Sequence, residues 1–305
     1  MCYFHKKKPF MKTLLLILFT ALSFVSYSQD STSLQVSAEP KYYVSVPTPI
    51  GSSLRLTGDW TIEAWVNIPV NASFSEIHLV ETYSAPTTGG FVLRLSNLRL
   101  RALQMAGSSS YTDLSANQTI PKGQWVHVAA TMDDTNDELI LYMDGVEVGS
   151  KTSTIPTSNG NANMYIGARG DDQDVNQEIA MDEVRIWGVA KSAAEIETGM
   201  STCLEGNEPN LVAYYDFEDV SSETVLDKSN NTNDGTIANY SVDALTDGVY
   251  YCGNVTAFED DQVVDAEATI IKAYNLQGKE VSPNTHGELI ILEYSNGKRV
   301  KTFID

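Results

Sequence analysis

The chain has 305 residues, with 40 acidic side chains against 20 basic ones and a formal net charge of −20. That acidity argues against nucleic acid and anionic membrane surfaces as partners, because both attract clusters of Lys and Arg. The carboxylates either keep the protein solvated or offer oxygen ligands to a cation such as Ca²⁺, and composition leaves both alternatives open.

Residues 1–28 have the pattern of a cleaved secretory signal. A lysine-rich stretch precedes an apolar run over residues 14–25, and Ser26 and Ser28 follow at positions that a signal peptidase reads. The run has about 12 residues, whereas a membrane-spanning helix needs roughly 20, so we expect no transmembrane anchor. We expect a secreted or outer-surface protein whose mature chain begins near Gln29, whether translation starts at Met1 or at Met11.

Residues 34–217 are predicted to form an all-β domain. Short apolar runs are separated by clusters of Gly, Asn, Asp, Ser and Pro, a spacing typical of sandwiches and barrels. In residues 60–66 the aliphatic side chains fall on one face and Trp65 on the other, which predicts that both faces of this strand are covered. Asp144-Gly145 stands between two apolar runs and predicts a two-residue hairpin turn.

One segment is predicted to be helical. Ser192 is a candidate N-cap with Glu195 three residues later, the pattern of a capping box, and the helix should end near Gly199. Further strands are expected at residues 210–218 and around an Asn-rich loop at residues 225–237.

The rest of the chain divides by composition. We assign residues 29–253 to the main domain, 254–268 to an acidic linker and 269–305 to a small β module. The chain without its signal keeps two cysteines, Cys203 and Cys252. An exported protein with a low, even number of cysteines usually pairs them, so a Cys203–Cys252 disulfide is expected.

Four strings in the main domain resemble one family. They are residues 60–66 (WTIEAWV), 125–129 (WVHVA), 141–145 (LYMDG) and 181–187 (MDEVRIW). Their order and spacing resemble the laminin-G-like members of the concanavalin A-like lectin/glucanase superfamily, of the type found in Bacteroidetes. The resemblance implies a two-sheet antiparallel jelly-roll sandwich with one short helix, and it implies that the four Trp residues belong to the core.

The C-terminal module resembles the sorting domain of type IX secretion substrates. The resemblance rests on the turn at residues 274–279 (YNLQGK) and on the strand–Asn-Gly–strand pattern at residues 288–301. The upstream half of that domain is shortened here, and the chain ends without a basic terminus. A small β cap with no sorting function is therefore the alternative.

Glycoside hydrolysis is the enzymatic alternative, because glucanases share the sandwich. It needs two carboxylates at a defined separation, and the resembling glucanases place them as Glu-x-Asp-x-Glu on one strand. No such string occurs. The nearest candidates are Glu178 with Asp182 and Glu183, and Glu76 with Glu81, whose spacing of five predicts opposite faces. His78, His127 and His286 show no zinc spacing, and His127 is predicted to be a structural histidine within a strand.

Ca²⁺ is the one cofactor that the resemblance implies. Family members use the Asp of the 181–187 string together with carbonyl oxygens near the first strand, and Asp182 matches that Asp. The family's Phe-Asp-Gly is replaced here by residues 36–38 (VSA), which removes one carboxylate. The alternative is that Asp182 caps a turn or pairs with Arg185.

The function implied is binding without catalysis. We expect the protein to recognise a glycan or another component of an extracellular surface, with Tyr83, Tyr111 and Tyr165 as candidate sugar-stacking residues. A glycoside hydrolase with an unfamiliar carboxylate pair and a structural adhesion protein with protein partners are the two alternatives.

Overall fold

The computed structural model describes residues 32–82, 89–107, 109–156, 163–170, 178–248, 270–275, 280–283, 288–294 and 299–304. The signal sequence, the acidic linker, Cys252, Tyr83 and His286 lie outside these ranges, so their predictions stay predictions. The described part of the chain holds no helix with the length and apolarity of a membrane span.

The described elements are almost all strands, as predicted. In chain order they are β1 (Thr32–Ala38), β2 (Lys41–Tyr42), β3 (Val44–Val46), β4 (Trp60–Asn67), β5 (Glu76–Glu81), β6 (Gly90–Ser96), β7 (Arg99–Gly107), β8 (Ser110–Ser115), β9 (Trp125–Asp133), β10 (Glu138–Met143), β11 (Val146–Thr152), β12 (Met164–Ile166), β13 (Ile179–Trp187), α1 (Ala193–Gly199), β14 (Leu211–Tyr215), β15 (Thr224–Val225), β16 (Gly235–Ile237), a 3-10 turn (Val242–Ala244), β17 (Leu245–Asp247), β18 (Ile270–Asn275), β19 (Glu288–Tyr294) and β20 (Arg299–Ile304).

Two antiparallel sheets form the main domain. The nine-stranded sheet has the order β11-β10-β9-β4-β13-β1-β17, with β14 also paired to β13 and β2 to β1. The eight-stranded sheet has the order β15-β16-β3-β12-β5-β6-β7-β8. Chain neighbours β3 and β4 lie in different sheets, so the chain crosses between the layers. The predicted jelly-roll sandwich is confirmed.

The core lies between the two sheets and follows the alternation seen in the sequence. Ile62, Ala64 and Val66 of β4 are buried against residues from both sheets. Trp60 is fully buried in the same layer, and its indole Nε1 donates to the side chain of Gln104 at 3.0 Å. A buried amide in an apolar layer is costly unless it is hydrogen-bonded, and this pair meets that need.

A β-bulge in β13 keeps its apolar side chains in the core. Asp182 pairs with Trp65 of β4, but the next pair is Arg185 with Glu63, so three residues of β13 advance against two of β4. Glu183 takes a positive φ of 52° at this point. Without the extra residue, a period of two would send Val184 to the outer face.

The hairpin and the helix that the sequence predicts are both present and touch each other. Asp144 and Gly145 connect β10 to β11 with φ values of 47° and 76°, as a type I′ turn requires. Helix α1 has the predicted capping box between Ser192 and Glu195. A Cβ placed on Gly145 would lie 2.8 Å from the Cβ of Glu197, so the helix rests directly on the hairpin turn.

A buried carboxylate organises the Asn-rich loop after β14. Asp227 accepts hydrogen bonds from the backbone N–H groups of Tyr214 and Ser229 at 2.9 Å and of Asn233 at 2.8 Å. The side chains of Ser229 and Asn233 donate to it as well. Asp227 is only 7% exposed, and a buried carboxylate needs hydrogen-bond donors of this kind. Asp227 therefore fixes the conformation of this loop.

The C-terminal module is a separate three-stranded antiparallel sheet with the order β18-β19-β20. The bounds assigned to this module, residues 269–305, and its role in sorting stay predictions. Nothing in the described residues tests the boundaries assigned to the signal, the linker and the module.

Candidate functional site

The outer face of the nine-stranded sheet is covered near its centre by the segment that follows β13. The indole Nε1 of Trp65 donates to the carbonyl of Met200 at 3.0 Å. The Arg185 guanidinium donates to the carbonyls of Gly199 at 2.8 Å and Thr202 at 3.0 Å. All four Trp residues are buried, but only Trp60 is in the core between the sheets; Trp65, Trp125 and Trp187 pack outside it. This face supports the covering segment and offers little surface to a ligand.

A charged network lies beneath that cover, centred on Glu63. One carboxylate oxygen of Glu63 accepts from the Trp187 indole at 2.7 Å, and the other lies 3.4 Å from Nε2 of His127. Arg185 approaches Glu63 at 3.9 Å and Glu183 at 2.7 Å. Burial by itself raises the pKa of Glu63, but His127, Arg185 and Trp187 outweigh it and hold this pKa at about 2.

The Glu63 network confirms the structural interpretation of His127, which is 1% exposed. Its backbone N–H also donates to Asp144 at 2.9 Å, which ties β9 to the hairpin turn. The network lies beneath protein, and its hydrogen bonds from Trp187 to Glu63 and from Arg185 to the carbonyls of Gly199 and Thr202 hold the cover in place.

Asp182, the predicted metal ligand, lies at the bulge of β13. It is 1% exposed, and its Oδ1 accepts from the backbone N–H of Glu183 at 2.8 Å. It therefore caps the bulge, which was one of the two alternatives to a metal site. No group of three or more His, Cys, Asp or Glu side chains in the described ranges is placed to hold a metal ion. A Ca²⁺ ion at Asp182 would have to draw most of its ligands from carbonyl oxygens and water.

Cys203 lies at the surface, just after helix α1. Its predicted partner Cys252 falls outside the described residues, so the disulfide stays a prediction.

The outer face of the eight-stranded sheet is different, because it carries partly exposed charged and aromatic side chains. Leu93, Leu95, Leu100 and Ala102 point into the core, so the residues between them point outward. The outward side chains on β5 to β8 are Glu76, His78, Glu81, Val92, Arg94, Ser96, Arg99, Arg101, Leu103, Met105, Tyr111, Asp113 and Ser115.

Two arginines face each other on this surface. Arg94 of β6 pairs directly with Arg101 of β7, and Glu76 lies 3.5 Å from the first and 3.8 Å from the second. Arg101 also binds both carboxylate oxygens of Asp113, with its Nε 2.7 Å from Oδ1. This hydrogen bond lowers the pKa of Asp113 and raises that of Arg101. We call Arg94, Arg101, Glu76, Asp113 and the neighbouring Tyr111 the arginine patch.

The structure places two of the three candidate sugar-stacking residues on this same face. Tyr111 is 50% exposed and lies near enough to Arg101 to add to the rise in its pKa that the hydrogen bond to Asp113 mainly causes. Tyr165 of β12 is half-buried, with its ring centroid 6.2 Å from that of Tyr43. Four strand spacings separate Tyr165 from Tyr111, a distance of about 19 Å. Val92, Leu103 and Met105, which lie on strands between them, are buried.

The carboxylate pairs considered for hydrolysis have other partners. The prediction that Glu76 and Glu81 point to opposite faces is wrong, because a bulge between His78 and Val80 brings both to the outer face. Glu76 is paired with the two arginines. Glu81 is buried, accepts from the backbone N–H of Gly170 at 2.8 Å and lies 3.3 Å from His78. In the other pair, Glu178 is exposed and Asp182 is buried.

The arginine patch was missed at the sequence level because its hairpin lacks the usual signal. The turn between β6 and β7 is Asn97-Leu98, with φ values of 49° and 62°. Glycine is the usual second residue of such a turn, and because Leu98 occupies this position the sequence does not show the usual hairpin pattern. Asn97 was the available signal: centring a two-residue turn there aligns Arg94 with Arg101.

Comparisons with known proteins agree with this architecture. A family model described as the concanavalin A-like lectin/glucanases superfamily, laminin-G type, matches residues 40–197. A search of curated proteins gives no match. A solved structure from Bacteroides ovatus, of a protein proposed to bind carbohydrate, is similar with a TM-score of 0.57 and 19% identity, covering 72% of this chain and 60% of that one.

Two further solved structures are similar at lower scores. The carbohydrate-binding domain CBM40 of a Ruminococcus gnavus sialidase, bound to α2,3-sialyllactose, has a TM-score of 0.43 and 11% identity, covering 55% of this chain and 95% of that one. Domains LG4–5 of the mouse laminin α1 chain have a TM-score of 0.41 and 14% identity, covering 61% and 48%. These likenesses concern the fold alone. With the family model matching more than half of its length, the chain belongs to the concanavalin A-like lectin/glucanases superfamily.

Proposed function

We propose that this chain is a non-catalytic binding module that recognises a glycan on the outer face of the eight-stranded sheet. The observation that carries the proposal is the arginine patch, where a half-exposed aromatic ring lies beside guanidinium and carboxylate groups. Sugars offer apolar C–H faces and hydroxyl groups, so an aromatic surface next to fixed polar groups suits both. The exposed part of this face around the arginine patch is the better candidate, because the centre of the other sheet's outer face is covered.

The state of the carboxylates favours binding over hydrolysis. A glycosidase needs one carboxylic acid with a raised pKa near a second carboxylate. In the arginine patch the effect has the opposite sign, since Arg101 lowers the pKa of Asp113. Burial raises the pKa of Asp144 and Asp216, but Asp144 is bonded within the hairpin turn and Asp216 lies 3.4 Å from Lys228. A hydrolase with another carboxylate pair is the second candidate.

A glycan-array screen of the full chain tests the proposal. We expect selective binding that falls by about fivefold in Tyr111→Ala, since stacking on an aromatic ring contributes on the order of 1 kcal/mol. Val242→Ala is the matched control, because Val242 is 78% exposed and lies on a different element. Absence of binding to any glycan would refute the proposal and favour a structural adhesion protein. Release of shortened glycans would favour the hydrolase.

We further propose a weak Ca²⁺ site at Asp182. Support comes from the match of Asp182 to the Asp that family members use for Ca²⁺, and from its buried position at the bulge of β13 in a chain of net charge −20. Thermal unfolding with Ca²⁺ and with EDTA tests it. We expect Ca²⁺ to raise the melting temperature of the wild type and to have no effect on Asp182→Asn. An equal response in both proteins would place any ion elsewhere.

We also propose that the protein is exported, with residues 1–28 removed and residues 269–305 acting as a sorting module. The lysine-rich stretch, apolar run and small residues within residues 1–28 support removal of a signal peptide. The three-stranded sheet β18–β20 is compatible with a sorting module. N-terminal sequencing of the released protein should find Gln29. Deleting the C-terminal module should abolish appearance at the surface; normal export of the deletion variant would leave the module as a plain cap.

A further inference from the structure

We propose that the glycan is acidic, and that Arg94 and Arg101 bind its carboxylate or sulfate group. This inference rests on the proposed function and names the ligand class for the same site. It starts from two arginines that lie directly opposite each other on neighbouring antiparallel strands, with Glu76 as a carboxylate neighbour of both.

Facing arginines are unfavourable for the sheet itself. Side chains directly opposite each other on antiparallel strands have Cβ atoms about 5 Å apart, and like charges at such positions destabilise the pair. An acidic residue at either position would remove that repulsion. Two converging guanidinium groups instead create a place where one anion can contact both, and a guanidinium matches the shape of a carboxylate or sulfate.

The protein's own carboxylates satisfy the two arginines unequally. Within the described residues, Arg101 binds both oxygens of Asp113, whereas Arg94 has a single carboxylate contact, at 3.5 Å from Glu76. The Nε of Arg94 is buried and hydrogen-bonds to no group in the described part of the chain. Because this Nε is buried, an external anion would have to bind the terminal N–H groups of the guanidinium, whose side chain is 16% exposed and which have one carboxylate contact in the described residues.

The surroundings strengthen the attraction for an anion. The arginine side chains are 16% and 23% exposed, so their charges are less screened than they would be in bulk water. Arg99 lies on the same face of β7, and Lys151 reaches over from β11 to bond the carbonyl of Asp113 at 3.0 Å. Four basic side chains thus gather at one place in a chain of net charge −20.

Calorimetric titration of the full chain with trigalacturonate, its methyl ester and a sulfated galactan oligosaccharide tests the inference. We expect at least one anionic probe to bind about tenfold tighter than the neutral ester, equivalent to one charged hydrogen bond. Comparing the carboxylated and sulfated probes identifies which anion fits.

Three variants locate the site. Arg94→Gln with Arg101→Gln should abolish the preference for the anionic probe, whereas Asp113→Asn should strengthen it severalfold by removing a competing carboxylate. Lys191→Gln is the control, because it removes one positive charge on the other sheet's outer side, where Lys191 lies over the Trp187 ring. The urea midpoints of all variants report whether the fold is intact. If the double arginine variant unfolds, the expected gain in anion affinity of Asp113→Asn still tests the site.

The outcomes separate the two proposals. Equal binding of the ester and the anionic probes would overturn the acidic ligand while leaving a glycan-binding module. An anionic preference that survives the arginine substitutions, or that Asp113→Asn leaves unchanged, would overturn the site. Failure of every glycan, neutral or acidic, would refute the proposed function itself.

Discussion

Replacing Glu63 with Gln should destabilise the protein in a way that depends on pH. The network lowers the pKa of this carboxyl from an ordinary 4.5 to about 2. A lowered folded-state pKa means that the stabilisation is complete above about pH 4.5 and is lost as the pH falls through about 2. The shift of about 2.5 units corresponds to about 3 kcal/mol, within the range for breaking a buried ion pair.

The assay is urea unfolding of the wild type and Glu63→Gln between pH 7 and pH 3. We expect a difference in unfolding free energy of about 3 kcal/mol at pH 7, narrowing to about 1.4 kcal/mol at pH 3 as the wild-type carboxylate becomes protonated in the unfolded state. Glu147→Gln is the control, because Glu147 is exposed on β11 and should change stability by less than about 0.5 kcal/mol. A difference that stays constant with pH would refute the assignment of this stabilisation to the Glu63 charge.

Three other predictions concern local structure. Gly145→Ala should destabilise by about 2 kcal/mol more than Gly51→Ala in urea unfolding: both glycines have positive φ, but an added Cβ meets helix α1 only at Gly145 and finds no atom within 4 Å at Gly51. Equal losses of stability in the two variants would show that helix α1 moves enough to accommodate the added methyl group. Ser192→Ala should cost about 1 kcal/mol by removing the N-cap of α1, and a loss near zero would mean that the cap is redundant. Mass spectrometry without reduction should find Cys203 and Cys252 joined, closing a loop of about 50 residues worth about 4 kcal/mol; free thiols at both positions would disprove the disulfide.

Local signals in the sequence predicted the parts of the fold that depend on neighbouring residues. The capping box at Ser192 and the Asp-Gly turn at residues 144–145 act within a few residues, and both are present as expected. Alternation in β4 correctly divided the aliphatic side chains from Glu63 and Trp65, because a strand has only two faces.

Features that depend on register between distant strands could not be predicted in this way. Glu63, His127 and Arg185 meet because β9, β4 and β13 are neighbours, and no local pattern records that order. The bulges in β5 and in β13 each break the period of two by one residue. The first explains the wrong assignment of Glu76 and Glu81 to opposite faces.

The terminal strands of the two sheets affect how readily the protein aggregates at high concentration. In the described residues one sheet ends in β11, which is irregular opposite Leu141 and carries charged side chains including Glu147 and Lys151. The other sheet ends on one side in β15, which has two residues. Unpaired strands invite another chain to add alongside, and charges, irregularity and short length all discourage this. Concentrated solutions should therefore resist aggregation by strand addition at these two edges.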